Sequence, residues 1–139
     1  MPTRSGHAVW RGDLKTGQGT LGVQSKLVED AAYSFPSRFE EGTGTNPEEL
    51  IGAAHAACFA MALSNIMGED DIVPDKIDAK STIHLDMSDG PKIVKAHIEV
   101  TIKADADESR IMDAAGKAKE GCPVSQLLDC EITMDAKVA

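Results

Sequence analysis

The sequence is poor in several kinds of residue that would point to particular protein classes. It has three cysteines in 139 residues, an odd number too small for a disulfide framework, and only 4% aromatic residues. Its 14 basic residues are outnumbered by 23 acidic ones, and the net charge of -9 repels phosphate backbones and anionic lipid surfaces. The polar start from Met1 to His7 is unlike a signal peptide, and no apolar run approaches the roughly 20 residues that span a bilayer. We therefore expect a cytoplasmic protein that binds neither nucleic acid nor membranes.

The order of sequence patterns predicts an α+β fold. With 42% apolar residues, the chain is large enough for one hydrophobic core, so we expect a single domain over residues 1–139. Alternation of apolar and polar residues predicts strands, and apolar stretches with capping signals predict helices. The predicted elements are a hairpin (7–14 and 20–26), a third strand (33–39), a helix (47–67), a second hairpin (77–87 and 93–104), a helix after Asp107 that ends at Gly121, a helical turn (123–128) and a last strand (130–138).

The first long helix is the most unusual of these elements. Asn46 can cap it, Pro47 suits its first position and Glu49 completes a capping pattern. Its stretch from Leu50 to Ile66 is apolar nearly all round, so no face is suited to water. We expect this helix to be buried on all sides, with antiparallel sheets packed around it. The second helix should bury a face formed by Ile111, Met112, Ala115 and Ala118.

The three cysteines have different predicted surroundings. Cys58 lies inside the apolar helix, where burial raises a thiol pKa, so its reactivity would need a nearby cation; the competing interpretation is an inert core thiol. Arg38, just before the helix, is the best-placed cation, although it could also be an ordinary surface arginine. Cys122 precedes a predicted helical turn, where backbone N–H groups favour a thiolate. Cys130 stands on the inward side of the last strand and is expected to pack.

Two other patterns resemble binding motifs. Residues 17–22, GQGTLG, match a dinucleotide fingerprint, but strand alternation follows them where a helix should begin, so we interpret them as a hairpin turn. His55 and Cys58 are three positions apart and could present two metal ligands on one helical face. No second pair of this kind accompanies them, so the sequence predicts no metal site and no cofactor.

Two longer motifs resemble one family. Residues 45–59, TNPEELIGAAHAACF, and residues 121–125, GCPVS, are similar to the OsmC/Ohr family of osmotically inducible and organic-hydroperoxide-resistance proteins. The opening GHAVWRGD, residues 6–13, and RFE, residues 38–40, resemble the OsmC branch in particular. The resemblance covers essentially the whole chain. It implies an intertwined homodimer with two active sites at its interface, and a two-cysteine peroxidase reset by a dihydrolipoyl protein or another dithiol.

By position, the resemblance also implies residue roles. Cys58 would be the peroxidatic thiol and Cys122 the resolving thiol that forms a disulfide with it, while Arg38 and Glu48 would activate and orient the site. The hydroperoxide-resistance branch takes its arginine from the N-terminal strand region, where this chain offers Arg11; Arg38 is the better match. An apolar approach built from Phe39, Ile51, Phe59 and Met61 would favour organic hydroperoxides over hydrogen peroxide.

Three alternatives remain open at this level. The same cysteine pair could serve a redox-sensing or binding protein that oxidises reversibly with little turnover. The chain could also be a structural dimer with inert thiols, or a zinc protein. Glu48 adds a geometric constraint, because ten helical positions separate it from Cys58 by roughly 15 Å along the axis. We therefore expect Glu48 and Arg38 to act on the Cys58 of a partner chain across a two-fold axis.

Overall fold

A three-stranded antiparallel sheet comes first in the computed structural model, which describes residues 1–139. Its strands are β1 (Gly6–Arg11), β2 (Gln18–Val23) and β3 (Ala31–Tyr33), in the order β1-β2-β3. The predicted hairpin is confirmed, and the glycine-rich residues 17–22 lead into and form β2. Gly19 is needed at that point, because a Cβ atom there would lie 2.5 Å from the Tyr33 ring and 2.7 Å from the Trp10 ring.

The segment after β3 is a short helix, so the predicted third strand from Tyr33 to Phe39 is wrong beyond its first residue. Helix α1 spans Phe35–Phe39. The Ser34 hydroxyl accepts a hydrogen bond from the Ser37 N–H at 3.3 Å, and the Ser37 hydroxyl accepts one from the Ser34 N–H at 2.8 Å. This reciprocal capping, with Pro36 in the first turn, favours a helix over a strand. Arg38 consequently lies in the last turn of a helix.

Helix α2 (Pro47–Glu69) begins as predicted and continues two residues past the predicted end at Met67. The Asn46 side chain accepts a hydrogen bond from the Glu49 N–H at 2.8 Å, which confirms the cap. Contacts between Cα atoms divide the chain into two compact units, Met1–Leu50 and Ile51–Ala139, so the boundary falls within the first turns of this helix. The single domain over residues 1–139 stays a prediction.

Within one chain, α2 is covered on one face only. The buried side comprises Gly52, His55, Phe59, Leu63 and Met67, whereas the other side leaves Ala53, Ala54, Ala57 and Met61 exposed. The expectation of burial on all sides is therefore not met by a single chain. The expectation that no segment reaches the length of a bilayer span is also wrong, since α2 contains an 18-residue stretch with a mean hydropathy of 1.6. The core helix of a soluble protein has the same composition.

A second sheet, in the order β4-β5-β6, belongs to the unit that starts at Ile51. Strands β4 (Lys76–Asp86) and β5 (Lys92–Lys103) form the predicted antiparallel hairpin, but β6 (Glu131–Val138) runs parallel to β5. The prediction of purely antiparallel sheets is therefore wrong at this strand. Helices α3 (Glu108–Gly121) and α4 (Pro123–Leu127) separate β5 from β6, and this long crossover returns the chain to the start of β5, as parallel pairing requires.

The core of this unit lies between α2, α3 and the buried face of β5. On α3 the buried residues are Ile111, Ala114, Ala115 and Ala118; Met112, which was expected among them, is 36% exposed. The inward residues of β5 are Ala96, Ile98, Val100 and Ile102, in the predicted register. The α+β class is confirmed, and this core fixes the helices on which the cysteines lie.

Candidate functional site

Cys58 and Cys122 lie together in the second unit. Cys58 is on α2 and is partly buried, and Cys122 is fully buried at the junction where α3 ends and α4 begins. The two thiols are free, and Cys122 lies near enough to Cys58 to raise the pKa of its thiol. Two thiols that are far apart in sequence therefore lie near each other in the fold.

The surroundings of Cys58 favour its neutral form within one chain. Burial raises the pKa of this thiol above its ordinary value, and the adjacent Cys122 raises it further. The backbone N–H of Val124, which donates a hydrogen bond to the sulfur, acts in the opposite direction. The raised pKa agrees with the sequence-based expectation that Cys58 needs an external positive charge to become a thiolate at neutral pH.

Cys122 is the N-cap of α4, as its sequence context predicts. Its sulfur accepts a hydrogen bond from the Ser125 N–H at 3.3 Å, and its thiol donates to the Ser125 hydroxyl at 3.1 Å. Ser125 in turn contacts His55, whose Nε2 lies 2.8 Å from the Ser125 Oγ. The other ring nitrogen of His55, Nδ1, lies 2.7 Å from the Ser81 Oγ on β4.

Sequence reasoning missed this polar cluster. It treated His55 only as one of two conceivable metal ligands with Cys58, whereas both ring nitrogens of His55 face serine hydroxyls. A histidine in an otherwise apolar helix was the available signal, because a buried polar group needs partners. The partners are 26 and 70 positions away, which no local pattern indicates. Burial lowers the pKa of His55, which keeps the imidazole neutral.

Arg38 and Glu48 form an ion pair in the first unit. The Arg38 Nε and Nη2 atoms both donate to the Glu48 Oε1, at 3.1 Å and 3.0 Å. The second carboxylate oxygen of Glu48, Oε2, is buried without a hydrogen-bond partner. The Arg38 guanidinium also lies over the Phe39 ring, 5.1 Å from its centroid. The alternative cation, Arg11, is exposed on β1.

The residues expected to form an apolar approach lie in different environments. Phe39 lines an apolar cavity of about 240 Å³ within the first unit, together with Trp10, Leu14, Tyr33, Ser34, Phe35 and Arg38. Ile51 is partly buried and Met61 is 77% exposed on the uncovered face of α2. Phe59 is fully buried in the core cluster with Leu63 and Met67, so its expected place in the approach is corrected to a packing role.

Cys130 lies directly before β6 and not within it. Its side chain is half-buried, and burial raises the pKa of its thiol, while a hydrogen bond from the Ala96 N–H lowers it. This environment fits the packing role expected of it and provides no activating cation.

Comparison with known proteins identifies the relatives of the chain. The profile of the OsmC-like protein family matches residues 40–137. The chain belongs to the OsmC family. It is 46% identical over 134 residues to the peroxiredoxin OsmC of Escherichia coli strain K12, covering 95% of this chain and 94% of that protein. It is 36% identical over 101 residues to the organic hydroperoxide resistance protein OhrB of Bacillus subtilis, covering 71% and 74% of the two chains.

Solved structures of OsmC-type proteins share the fold. The crystal structure of OhrB from Bacillus subtilis matches with a TM-score of 0.67 at 24% identity, covering 97% of this chain and 98% of that one. An OsmC protein from Legionella pneumophila matches with a TM-score of 0.63 at 21% identity, covering 97% and 96%. The family resemblance inferred from the two cysteine motifs is therefore confirmed.

Proposed function

We propose that this OsmC-family chain is a thiol-dependent peroxidase that reduces organic hydroperoxides to alcohols. Cys58 is the peroxidatic thiol and Cys122 the resolving thiol. The observation that supports this most directly is that the partly accessible Cys58 lies near enough to the buried Cys122 for its thiol pKa to be affected. The names of the relatives, a peroxiredoxin and an organic hydroperoxide resistance protein, supply the reaction class.

The cycle has three steps. The Cys58 thiolate attacks the terminal peroxide oxygen, the O–O bond breaks, and the alkoxide leaves with a proton as alcohol, so that Cys58 becomes a sulfenic acid. The Cys122 sulfur then displaces the sulfenic oxygen, which leaves as water, and a Cys58–Cys122 disulfide forms. An external dithiol, which we propose to be a cytoplasmic dihydrolipoyl protein, reduces this disulfide by two exchange steps. No metal or organic cofactor takes part.

The substrate preference is for hydroperoxides with an apolar tail. The aromatic cavity lined by Trp10, Tyr33, Phe35 and Phe39 lies against Arg38 and can bury such a tail. Ile51 and Met61 on α2 are further apolar side chains that the family resemblance assigns to the substrate. Hydrogen peroxide has no group that would gain from burial there.

We further propose that the active form is a homodimer in which Arg38 and Glu48 of one chain serve the Cys58 of its partner. The raised pKa of Cys58 within one chain calls for an outside cation. The exposed apolar face of α2, with Ala53, Ala57 and Met61, supports burial against a second copy. Glu48 has one buried oxygen without a partner, which leaves it an acceptor for a further donor in the dimer.

Steady-state turnover tests the proposed activity. With excess cumene hydroperoxide and a saturating dithiol, an enzyme consumes many equivalents per chain, whereas a redox sensor consumes one. We expect sustained consumption that stops entirely in Cys58→Ser and continues in Cys130→Ser. Consumption that stops after one equivalent in the wild type, with dithiol still present, would assign the chain to the redox-sensing class.

Subunit mixing tests the dimer. Inactive Cys58→Ser chains and weakened Glu48→Ala chains should regain part of the activity after exchange, because each heterodimer has one site with both residues intact. Mixing Cys58→Ser with Cys122→Ser chains is the matched control, since both of those residues belong to the same site of one chain. No recovery after verified exchange would contradict the assignment of Glu48 to the partner's site.

A further inference from the structure

Four polar side chains form a continuous hydrogen-bonded line in the interior of the second unit. Ser81 on β4 contacts His55 at 2.7 Å, His55 on α2 contacts Ser125 at 2.8 Å, and Ser125 on α4 contacts Cys122 at 3.1 Å. His55 and Cys122 are fully buried, and Ser125 is 7% exposed. Three separate elements therefore converge to connect one imidazole to the thiol of Cys122.

The approach of α2 to β4 depends on Gly52. A Cβ atom at that position would lie 2.7 Å from the Ser81 carbonyl oxygen, which is too close for any side chain. The glycine thus lets the helix lie directly against the strand, one turn before His55. The imidazole is held by this packing between two hydroxyl groups.

One set of hydrogen-bond directions gives every proton in this line an acceptor. The Cys122 thiol donates to the Ser125 oxygen, so the single hydroxyl proton of Ser125 is free to point at His55 Nε2. A neutral imidazole has one N–H and one bare nitrogen. With the Ser125 hydroxyl proton directed at Nε2, that nitrogen is the bare one and the Nδ1–H donates to Ser81. This arrangement leaves a basic nitrogen two hydrogen bonds away from the Cys122 sulfur.

We propose that His55, acting through Ser125, accepts the proton of Cys122 when that thiol attacks the oxidised Cys58. The inference rests on the proposed peroxidase cycle and concerns its second step. The thiol proton passes to the Ser125 oxygen as the hydroxyl proton of Ser125 passes to Nε2. The Cys122 sulfur forms the S–S bond, and the sulfenic oxygen leaves as hydroxide and takes a proton from solvent to become water. The imidazolium then loses its Nδ1 proton through Ser81, the partly exposed end of the line, to solvent.

The buried position of the line explains why a relay is needed. Cys122 is fully buried and thus has no direct contact with solvent water that could take its proton. A neutral imidazole can accept a proton, and burial keeps His55 neutral beforehand. A purely structural histidine would need its two serine partners equally, so the experiment must separate proton transfer from packing.

Rapid-mixing kinetics with one equivalent of cumene hydroperoxide separates a role of His55 in proton transfer from a role in packing. Ser125→Ala removes the hydroxyl but keeps the backbone N–H that holds the Cys122 sulfur. We expect unchanged formation of the Cys58 sulfenic acid, trapped with dimedone, and disulfide formation slowed by about a hundredfold, the lower end of the range for general acid–base catalysis. Ser125→Thr restores a hydroxyl and should recover most of the rate. His97→Gln is the matched control, because His97 pairs with Thr133 and Asp135 away from both thiols.

Equal rates of disulfide formation in wild type and Ser125→Ala would overturn the relay. A wild type that forms no sulfenic acid would instead overturn the proposed function. Nitrogen NMR of reduced protein tests the relay separately from turnover, since it identifies the protonated ring nitrogen of His55 and thus the hydrogen-bond directions that the relay requires. A proton on Nδ1 supports the inference, and a proton on Nε2 contradicts it.

Discussion

The two polar clusters of this chain, one in each compact unit, differ in charge and in burial. Arg38 and Glu48 form a charged pair whose arginine side chain is 38% exposed. His55, Ser125 and Cys122 are buried and connected by hydrogen bonds between groups that can all be neutral. The difference follows from the cost of burying an unpaired charge, which far exceeds that of burying a hydrogen-bonded neutral group. The guanidinium charge of Arg38 therefore lies near solvent, whereas the interior holds hydrogen bonds between groups that can be neutral.

The largest expected effect comes from the thiols themselves. Cys58→Ser should abolish turnover, because the serine hydroxyl is not a nucleophile at neutral pH. Cys122→Ser should still reduce one equivalent of hydroperoxide and then stop, with Cys58 trapped or over-oxidised. Mass spectrometry of each variant after one equivalent distinguishes these outcomes. Equal loss of the first equivalent in both variants would reverse the assigned order, and a dominant Cys122–Cys130 bond in wild type would contradict the pairing.

The next effect concerns the exposed charge. Arg38→Ala should slow the reaction of Cys58 by about tenfold or more, since loss of one nearby charge shifts a thiol pKa by one unit or more. Arg11→Ala provides the matched comparison and should have little effect. The rate of Cys58 alkylation as a function of pH measures both variants directly. A larger shift in Arg11→Ala would transfer the role to the N-terminal strand.

A smaller effect concerns the packing of α2 against β4, one turn before His55. Gly52→Ala should destabilise the fold by about 1–3 kcal/mol, because the added methyl collides with the Ser81 carbonyl and separates α2 from β4. Gly116→Ala on α3 is the control, since nothing lies within 4 Å of the added Cβ atom there. It should stabilise the protein by up to about 1 kcal/mol through helix propensity. Urea unfolding of both variants measures the difference, and equal midpoints would refute the close approach.

The smallest expected effect is the acid dependence of stability. Because burial lowers the pKa of His55 in the folded chain, the unfolded chain takes up the proton first as the pH falls below about 6.5. The contribution of neutral His55 to the free energy of unfolding is thus complete above that pH. It is lost as the pH falls towards the lowered pKa that His55 has in the folded chain. His55→Gln should lack this component, whereas His97→Gln should retain it. Unfolding free energies measured from neutral to mildly acidic pH give the comparison; parallel curves for wild type and His55→Gln would contradict it.

Local signals predicted part of this molecule well. The cap at Asn46 and Pro47 located the start of α2, and alternation located the β4–β5 hairpin, because both depend on neighbouring residues. The Ser34 and Ser37 capping of α1 was missed, since its second partner is a serine where the common pattern has Glu or Gln. The direction of β6 was also missed, because alternation with a period of two is the same in parallel and antiparallel strands.

In the candidate site, too, features that depend on neighbouring residues were predicted and features that depend on the whole fold were not. Each cysteine could be assigned a local environment from its sequence neighbours, and the long motifs around them supplied their proposed roles. The link from His55 to Ser81 and Ser125 could not be predicted, because it joins three elements whose packing is decided by the whole fold. Phe59 and Met61 were both assigned to the substrate approach from the sequence. They lie on opposite sides of α2, with Phe59 buried in the core and Met61 on the uncovered side.

The crossover between β5 and β6 has a consequence for the newly made protein. A ribosome releases Cys58 well before Cys122, and β6 can pair with β5 only after the crossover helices have emerged. Throughout this interval Cys58 has neither Cys122 nor the folded second unit beside it. The environment of the two thiols is therefore completed only late in synthesis, when the crossover helices and β6 have joined the sheet.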